Sequence, residues 1–226
     1  MTKKAIVTGH TRGLGAALAA QLEADGWDVL GVARSGGERV DLGDPAALTV
    51  WIDGGTLRAH LADADEILLI NNAGVLGPAD IAGAQDPVAV ALAVNVNVTA
   101  PILLTNAVLR DRPAGVPTRV AHISSGAGRR PLAGWSVYCA TKAVVDHHAV
   151  TVAAEDHDGV RIVAIRPGVV DTDMQGDIRA SEGFPLRADF VAMKEQGQLT
   201  SAADAARAVL AIVHADDFGD TPLASV

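Results

Sequence analysis

A tyrosine and a lysine four residues apart are the most informative pair of side chains in the sequence. Tyr138 and Lys142 belong to one run, and an i, i+4 spacing on a helix places both on the same face, one turn apart. A nearby ammonium group favours the phenolate, so we expect the pKa of Tyr138 to fall from its usual value of about 10 towards neutrality. A phenol with such a pKa could exchange a proton with a carbonyl oxygen near neutral pH.

A glycine-rich turn near the N-terminus predicts a ligand site that could act together with this pair. Gly9, Gly13 and Gly15 follow a short apolar run and precede a segment with apolar residues at helical spacing. Such a turn lets the backbone approach a pyrophosphate at a helix N-terminus. A tight turn without any ligand would also use glycine. The spacing therefore predicts a dinucleotide site but leaves the simpler explanation open.

Two arginines indicate which dinucleotide such a site would hold. Enzymes that use NAD place a carboxylate after the second strand, on the ribose 2′-hydroxyl, whereas this chain has Arg34 there and no acidic residue. Arg12 lies inside the glycine turn. Two guanidinium groups near the ribose would bind a 2′-phosphate through charge-assisted hydrogen bonds, which favours NADP(H). The alternative is a pair of solvated surface arginines.

The elements around these residues alternate between strands and helices. Short apolar runs predict strands at 4–8, 27–32, 39–42, 67–70, 119–124 and 160–165, and a weaker one at 221–226. Helices are expected at 13–25, after Pro45, and at 88–109, 135–156 and 201–214. This alternation predicts an α/β domain over residues 1–226, with a doubly wound, mostly parallel sheet of about seven strands. We expect the irregular segment 173–199 to be a mobile substrate lid.

Composition limits the partners of the 226-residue chain. A net charge of −9 makes nucleic acid an unexpected partner. No apolar run reaches the roughly 18 residues of a membrane span, so no membrane partner is expected. One cysteine and no signal-peptide pattern predict a cytoplasmic protein. No metal site is predicted, because His147, His148 and His157 lack metal-like spacing with carboxylates and should lie on a helix exterior.

Five motifs in order make the chain resemble the short-chain dehydrogenase/reductase family over nearly its full length. They are Thr8-Gly9-x-x-x-Gly13-x-Gly15, Asn71-Asn72-Ala73-Gly74, a serine thirteen residues before the tyrosine, Tyr138-x-x-x-Lys142, and Pro167-Gly168. The resemblance implies a Rossmann fold that binds NAD(P)(H) and a Ser-Tyr-Lys-Asn catalytic set. Within the family, the runs 134–139 and 171–175 are most similar to sepiapterin reductases and bacterial benzil reductases.

Two positions of the implied catalytic set have a neighbouring alternative. The family spacing selects Ser125 over Ser124, which we expect to hydrogen-bond locally at the end of a strand. Asn97 is favoured over Asn95 because it matches the family's N-V-T run. Pro101 has no N–H to donate to the carbonyl of Asn97, so a kink there would free that carbonyl for a water, as the resemblance implies. Otherwise Pro101 marks the first turn of a helix that begins later.

The resemblance also assigns contacts by position. The expected cofactor contacts are Gly9, Thr11, Arg12, Gly13, Leu14, Gly15, Arg34, Asp41, Leu42, Asn72, Ala73, Gly74, Tyr138, Lys142, Pro167, Gly168, Val170 and Thr172. For Asp41, a role in a turn is almost as well supported. Asn71 is expected to brace the sheet beside the cofactor cleft. The expected substrate contacts are Ser125, Trp135, Tyr138 and Met174.

These expectations combine into an NADPH-dependent carbonyl reductase that acts on a small-molecule ketone or diketone. Tyr138 would donate the proton, Ser125 would polarise the oxygen, and Lys142 would tune the tyrosine and hold the ribose, while Asn97 supports a water relay. The alternatives are an alcohol dehydrogenase working oxidatively and a non-catalytic NADP(H) sensor on the same fold. A homodimer or homotetramer is expected through helices 88–109 and 135–156.

Overall fold

Seven parallel strands form a single sheet in the computed structural model, which describes residues 1–226. The strands are β1 (Lys3–Thr8), β2 (Asp28–Ala33), β3 (Glu38–Arg39), β4 (Glu66–Asn71), β5 (Thr118–Ile123), β6 (Val160–Arg166) and β7 (Leu223–Ser225). Their order is β3-β2-β1-β4-β5-β6-β7, and every neighbouring pair is parallel. The chain therefore winds outward from the centre in both directions, which confirms the predicted doubly wound sheet. The direction reverses between β1 and β4, where such sheets open a crevice.

Nine α-helices accompany the strands. They are α1 (Gly13–Ala24), α2 (Pro45–Asp53), α3 (Thr56–Leu61), α4 (Pro87–Val94), α5 (Ala100–Asp111), α6 (Ser136–Ala154), α7 (Asp173–Ala180), α8 (Arg187–Glu195) and α9 (Ala202–His214). Alternate residues of each strand point to opposite faces of the sheet. Ala5 and Val7 accordingly pack under α1 and α9, whereas Ile6 packs under α2, α3, α5 and α6. Two apolar layers thus fix the sheet from both sides.

Local sequence signals explain where several helices begin. Asp44 accepts hydrogen bonds from the amides of Ala46 and Ala47 at 2.9 and 3.1 Å, and Pro45 occupies the first turn of α2. Asp86 and Pro87 repeat this arrangement at α4. Ser201 caps α9 through the amide of Asp204 at 3.1 Å, as predicted. These caps use amide groups that a helix N-terminus otherwise leaves free.

A π-helical turn at Asn95–Thr99 joins α4 to α5 into one continuous helix. The amide of Ala100 donates to the carbonyl of Asn95, five residues earlier, and Pro101 follows directly. The irregularity predicted at Pro101 is therefore present, in the form of a π turn. The whole helix, Pro87–Asp111, has 25 residues and contains an 18-residue window with a mean hydropathy of 1.9, enough by length and composition to cross a membrane. Isolated polar residues interrupt the apolar ones, so the helix has this composition although no uninterrupted apolar run in it reaches about 18 residues. Helices in the core of a folded protein can have the same length and composition, so this helix alone does not indicate a membrane span.

The segment that follows β6 is more regular than its sequence suggested. Residues 173–199 were expected to be irregular, yet α7 and α8 occupy most of them. Neither helix has a side-chain cap at its N-terminus, which explains why no start signal was visible. An apolar cluster around Phe184 and Phe190 fixes these helices instead.

Candidate active site

A cleft of about 730 Å³ opens at the carboxyl ends of the central strands. Its walls come from the turn after β1, the ends of β2, β4, β5 and β6, and parts of α6, α7 and α8. Every residue predicted to contact the cofactor or the substrate lines this cleft. Asn97 is the only member of the predicted set outside the lining. Sequence positions spread over most of the chain therefore meet in one place.

The glycine turn has the shape that a phosphate group requires. Gly9 has a φ of +68° and its amide donates to Val32 O at 2.9 Å, which holds the turn against β2. A Cβ on Gly15 would lie 2.2 Å from Gly9 O, so no other residue fits there. Unlike α2, α4 and α9, helix α1 has no side-chain cap. Its first amides remain free at the cleft, where an anion can bind them.

Thr8 and Asn72 join the ends of the two central strands beneath this turn. Thr8 Oγ1 accepts hydrogen bonds from the amides of Asn72 and Ala73 at 3.0 and 2.9 Å. The side-chain amide of Asn72 donates to Thr8 O at 2.9 Å. The floor of the cleft is therefore held by hydrogen bonds from the Thr8 and Asn72 side chains to the backbone, which leaves little freedom for it to shift.

The two arginines predicted to select NADP(H) have different surroundings. Arg34 is exposed at the rim of the cleft and forms no ion pair. Arg12 pairs with Asp173 at 3.1 Å, with exposed side-chain fractions of 69% and 70%. An exposed pair of this kind contributes little stability, so either partner can exchange it for another charge. Nearby, Asp41 accepts from the amide of Gly43 at 2.9 Å, so it does form a turn while also lining the cleft.

Tyr138, Lys142 and Ser125 meet at the inner end of the cleft. Tyr138 and Lys142 are buried on one face of α6, as their spacing predicted. The Nζ atom of Lys142 donates to Ile123 O at 2.8 Å and lies 5.7 Å from the centre of the Tyr138 ring. Ser125 follows β5, and its hydroxyl accepts from the amide of Ala127 at 3.2 Å.

The expected lowering of the tyrosine pKa was wrong for the free chain. Burial raises the pKa of Tyr138 to about 12, while the nearby Ser125 hydroxyl acts in the opposite direction. Burial also lowers the pKa of Lys142 to about 8, and the charge of Asp146 opposes that shift. Both shifts arise because an apolar surrounding disfavours the charged form of each group. The sequence gives the spacing of the pair but not the amount of water excluded from it.

The two candidate asparagines face different parts of the molecule. The Asn97 amide donates to Val75 O at 2.8 Å and to Thr141 Oγ1 at 3.1 Å, and its oxygen accepts from the amide of Val75 at 2.9 Å. Asn95 instead donates to Gly43 O at 3.0 Å. Asn97 thus links the loop after β4 to the residue beside Lys142, and it is the asparagine that contacts the tyrosine-bearing helix.

The expectation for Ser124 was also wrong. Its hydroxyl is buried at the edge of the cleft and has no hydrogen-bond partner, although a local bond at the strand end was expected. The Ser124 amide donates to Ile165 O at 2.8 Å and so continues the sheet by one residue, and the residue lines the cleft beside Ser125.

A buried polar chain runs beneath the site. The Asn71 amide donates to Thr105 Oγ1 at 3.3 Å and lies 3.2 Å from Nδ1 of His122. Nε2 of His122 lies 3.0 Å from Nδ1 of His148. Burial lowers the pKa of His122 to about 3 and also lowers that of His148. Asn71 therefore braces the sheet as expected, whereas placing His148 on a helix exterior was wrong, because it is half-buried against β5.

Aromatic side chains close the other end of the cleft. The rings of Trp135 and Phe184 stack at 4.6 Å with an angle of 3°, and Phe190 lies 5.2 Å from Trp135. Trp135 also meets the edge of Tyr138 at 5.4 Å. Residues of the segment 173–199, which we expected to be a lid, thus pack directly on Trp135, which we expected to contact the substrate. Together they form one apolar surface beside the phenol of Tyr138.

The short chain dehydrogenase profile matches residues 57–183. The benzil reductase ((S)-benzoin forming) of Bacillus cereus is 33% identical over 94% of this chain and 94% of its own length. The chain belongs to the short-chain dehydrogenase/reductase family. Sepiapterin reductase of Meriones unguiculatus is likewise 33% identical over 94% of this chain and 92% of its own length. As a member of this family with reductases as relatives, the protein is an oxidoreductase.

Solved structures of the family agree with this fold. A short chain dehydrogenase from Burkholderia cenocepacia J2315 in complex with NADP superposes with a TM-score of 0.79, at 26% identity, covering 99% of this chain and 96% of that one. The family uses NAD(P), so the short-chain dehydrogenase cleft described above has the dinucleotide as its expected occupant.

Sequence reasoning missed several residues that line the cleft of this family member. They come from α7, α8, the end of β6 and the loop before α6, namely Arg130, Leu132, Arg166, Gln175, Ile178 and Phe190. Gln175 lay within a run already noted as similar to sepiapterin reductases, so it could have been found. The others follow from the packing of distant segments, for which the sequence carries no signal.

Proposed function

We propose that the protein is an NADPH-dependent carbonyl reductase that reduces a ketone or diketone, with Tyr138 as the proton donor. The observation that carries this proposal is the meeting of Tyr138, Lys142 and Ser125 in a cleft that also contains the glycine turn. A proton donor next to a hydrogen-bonding hydroxyl can hold and protonate one oxygen atom. The apolar wall supplies the place for the rest of the substrate.

The cleft fits a dinucleotide phosphate. The uncapped start of α1 offers free amides, and the missing side chains at Gly9 and Gly15 let the turn pack closely on itself and on Asn72 and Ala73. The unpaired guanidinium of Arg34 supports NADPH over NADH, since it can bind a 2′-phosphate. Arg12 would add a second contact after leaving Asp173. When bound, NADPH supplies the hydride for the reduction.

The protonation state of Tyr138 is the one that a proton donor needs. With a pKa of about 12, the phenol keeps its proton at neutral pH and can give it to a substrate oxygen. The oxidative alternative would need the phenolate as a base. Ser125 would hold the same oxygen through its hydroxyl and stabilise the charge that develops there. The sensor alternative gives no reason for all these groups to meet.

Lys142 and Asn97 would support the proton transfer from Tyr138. The Lys142 ammonium is anchored on Ile123 O at 2.8 Å, on the cofactor side of Tyr138, where it could hold the ribose of the dinucleotide. Asn97 fixes the adjoining loop through Val75 and the helix through Thr141. Its carbonyl beside Pro101 would hold the water that returns a proton to the tyrosine.

The aromatic wall supports a flat, apolar substrate. Trp135, Phe190 and Met174 line one end of the cleft, and Phe184, which does not line it, stacks on Trp135. The names of the relatives, benzil reductase and sepiapterin reductase, fit an aromatic ketone or diketone. We propose that α7 and α8 act as a lid that excludes water over such a substrate.

One experiment tests the central claim. Purified protein is mixed with benzil and NADPH, and the loss of NADPH absorbance is followed for wild type and Tyr138→Phe. We expect a loss of kcat on the order of 10²–10⁴-fold, because general acid catalysis contributes that much. The Kd for NADPH should stay nearly unchanged. A Tyr138→Phe variant that keeps most of its kcat would show that the proton comes from another group.

A second measurement tests the choice of cofactor. Wild type should bind NADPH about tenfold or more tightly than NADH, and Arg34→Ala should remove most of that preference. Arg39→Ala is the matched control, because Arg39 is also exposed but does not line the cleft. Equal wild-type constants for the two cofactors would refute the assignment of NADPH.

We further propose a homodimer or homotetramer in the cytoplasm. Exposed apolar side chains on the long helix and on α6 support this assembly: Val88, Val94, Val144 and Val150. Such side chains on adjacent helices form a self-complementary surface for a two-fold contact. Light scattering at micromolar concentration would disprove the assembly if it gave only the mass of one chain, 23.1 kDa.

A further inference from the structure

Two arginines that line the cleft have no part in the steps described so far. Five basic and two acidic side chains line the cleft, although the whole chain has a net charge of −9. Arg12, Arg34 and Lys142 are assigned to the cofactor. Arg130 and Arg166 remain without a role. A cleft lined mainly by one sign of charge attracts ligands of the opposite sign, so these two residues indicate an anion in addition to the cofactor.

The guanidinium of Arg166 is partly removed from water and has no partner in the protein. Arg166 is the last residue of β6, is half-buried, and lines the cleft. Its Nε atom is enclosed without a hydrogen-bond partner, whereas its two terminal nitrogens remain accessible to a ligand. No carboxylate of the protein forms an ion pair with it. Because a guanidinium keeps its charge and an unpaired charge is costly away from water, Arg166 requires a counter-ion from outside the protein.

The strands place Arg166 at the substrate end of the cleft. Side chains alternate along a strand, so Arg166 leaves the sheet on the same face as Ala164, in the apolar layer that includes α6. Helix α6 carries Tyr138, and Ser125 follows the neighbouring strand β5. Adjacent strands lie about 4.8 Å apart, so β6 is about 5 Å from β5 but about 14 Å from β1 and its glycine turn. Arg166 can therefore reach a substrate held by Tyr138 and Ser125, but not a phosphate bound at the turn.

We propose that Arg166 binds a carboxylate of the substrate, so that the ketone reduced in this cleft is a keto acid. This inference rests on the proposed function, because it takes Tyr138 and Ser125 as the groups that hold the reacting oxygen. The planar guanidinium matches a carboxylate through two parallel hydrogen bonds. One half-buried arginine balances one negative charge, which fits a carboxylate better than a doubly charged phosphate. Arg130, exposed at the rim of the cleft, would attract the same anion.

Benzoylformate and benzoylformamide are matched substrates for a test, because a carboxylate in the first is replaced by a neutral carboxamide in the second. We expect Arg166→Gln to lower the ratio of their kcat/KM values, acid over amide, about tenfold or more, since hydrogen bonds to charged groups contribute that much. Arg166→Lys keeps the charge but not the planar fork, so its ratio should lie between those of wild type and Arg166→Gln. Arg39→Gln, which removes an exposed charge outside the cleft, should leave the ratio unchanged.

A binding measurement separates this inference from the proposed function. The Kd of each compound, measured by the change in tryptophan fluorescence with NADP⁺ present, does not depend on turnover. If wild type reduces neither compound but Arg166→Gln still weakens the binding of benzoylformate alone, the proposed function fails and the carboxylate site stands. If Arg166→Gln changes neither the binding preference nor the kinetic preference for the acid, Arg166 has no such role.

Three further outcomes would overturn the inference: an equal fall for acid and amide, a weaker Kd for NADPH as the main effect, or a large fall in the melting temperature of Arg166→Gln. The second would assign Arg166 to the cofactor. The third would give the guanidinium a structural role. Because its enclosed Nε atom has no partner in the protein, we expect the substitution to break no hydrogen bond and to leave the melting temperature nearly unchanged.

Discussion

The two halves of the cleft are built in different ways. The cofactor half consists of strand ends and the glycine turn, joined by hydrogen bonds between Thr8, Asn72 and Ala73. The substrate half consists of α7 and α8, held by the stacking of Trp135 and Phe184. The first half depends on the glycine turn and on hydrogen bonds from two side chains to the backbone, whereas the second depends on contacts between apolar side chains that can be replaced one at a time. A family with such a cleft can change its substrate without rebuilding its cofactor site.

The largest effect is expected when a glycine of the cofactor half is replaced by alanine. In Gly15→Ala, the new Cβ would lie 2.2 Å from Gly9 O and 2.4 Å from Asn72 Nδ2. Relief of this overlap must move the turn, so we expect a loss of stability of about 1–3 kcal/mol or more. NADPH binding should fall by a factor on the order of 100 or more, since a misplaced turn loses several phosphate contacts. Urea denaturation and NADPH titration measure the two effects.

Gly176→Ala is the matched control for Gly15→Ala in the substrate half. Gly176 lies within α7, and a Cβ there would meet nothing within 4 Å. Because alanine is the better helix former, the free energy of unfolding should rise by about 0.5–1 kcal/mol, with NADPH binding unchanged. A Gly176→Ala variant that bound NADPH as poorly as Gly15→Ala would remove the distinction between the halves.

The second prediction concerns pH and the pair of His122 and His148 beneath the cleft. The pKa of His122 is about 3 in the folded protein and about 6.5 when unfolded. Between these values the unfolded chain binds more protons, so stability is complete above about pH 6.5 and falls as the pH decreases. The slope contributed by this one group is up to about 1.4 kcal/mol per pH unit. His148 adds to it in the same direction, because its pKa is lowered as well.

A comparison of variants isolates this contribution from that of the carboxylates. Urea denaturation between pH 7.5 and 5 should show a shallower pH dependence for His122→Gln than for wild type. His157→Gln, at an exposed site, should keep the wild-type slope. Equal slopes for wild type and His122→Gln would mean that the buried histidine does not limit stability in acid.

The smallest expected effect tests the substrate half. Phe184→Leu keeps an apolar side chain but loses the stacking on Trp135, which should cost about 0.5–1.5 kcal/mol of stability. Trp135 lines the cleft and would lose the ring that stacks on it. We therefore expect the KM for an aromatic ketone to rise several-fold, while the Kd for NADPH stays constant. Phe218→Leu is the control, because Phe218 is buried in the apolar layer of α1 and α9, away from the cleft. If both variants raised KM equally, the effect would come from lower stability alone.

The same contrast explains what the sequence could predict. Strand periodicity and the spacing of Gly9, Gly13 and Gly15 come from local rules, so the sheet and the cofactor half were predicted well. The doubly wound parallel sheet of seven strands was confirmed, and β7 was found despite its weak signal. Residues 173–199 gave no helix signal because α7 and α8 have no caps and depend on distant aromatic contacts.

Contacts between remote segments account for the remaining errors. The raised pKa of Tyr138 follows from burial under Trp135 and Phe184, which a helical spacing cannot reveal. The pairing of His122 with His148 joins β5 to α6, and the pairing of Arg12 with Asp173 joins residues 161 positions apart. Charge and solvent access at these sites are properties of the assembled fold, so spacing alone could not supply them.

The π turn at Asn95–Thr99 has a consequence for the outer surface of the protein. A π turn is equivalent to one extra residue in an α-helix, and each residue advances the helix by about 100°. The turn therefore changes the angular phase of α4 relative to α5. Helix α5 buries six of its residues, whereas α4 buries only Ala93 and leaves Val88 exposed. Deletion of a single residue from the turn would rotate all the side chains of α4 by the same angle relative to α5. The length of the turn therefore decides which face of α4 is exposed at the surface.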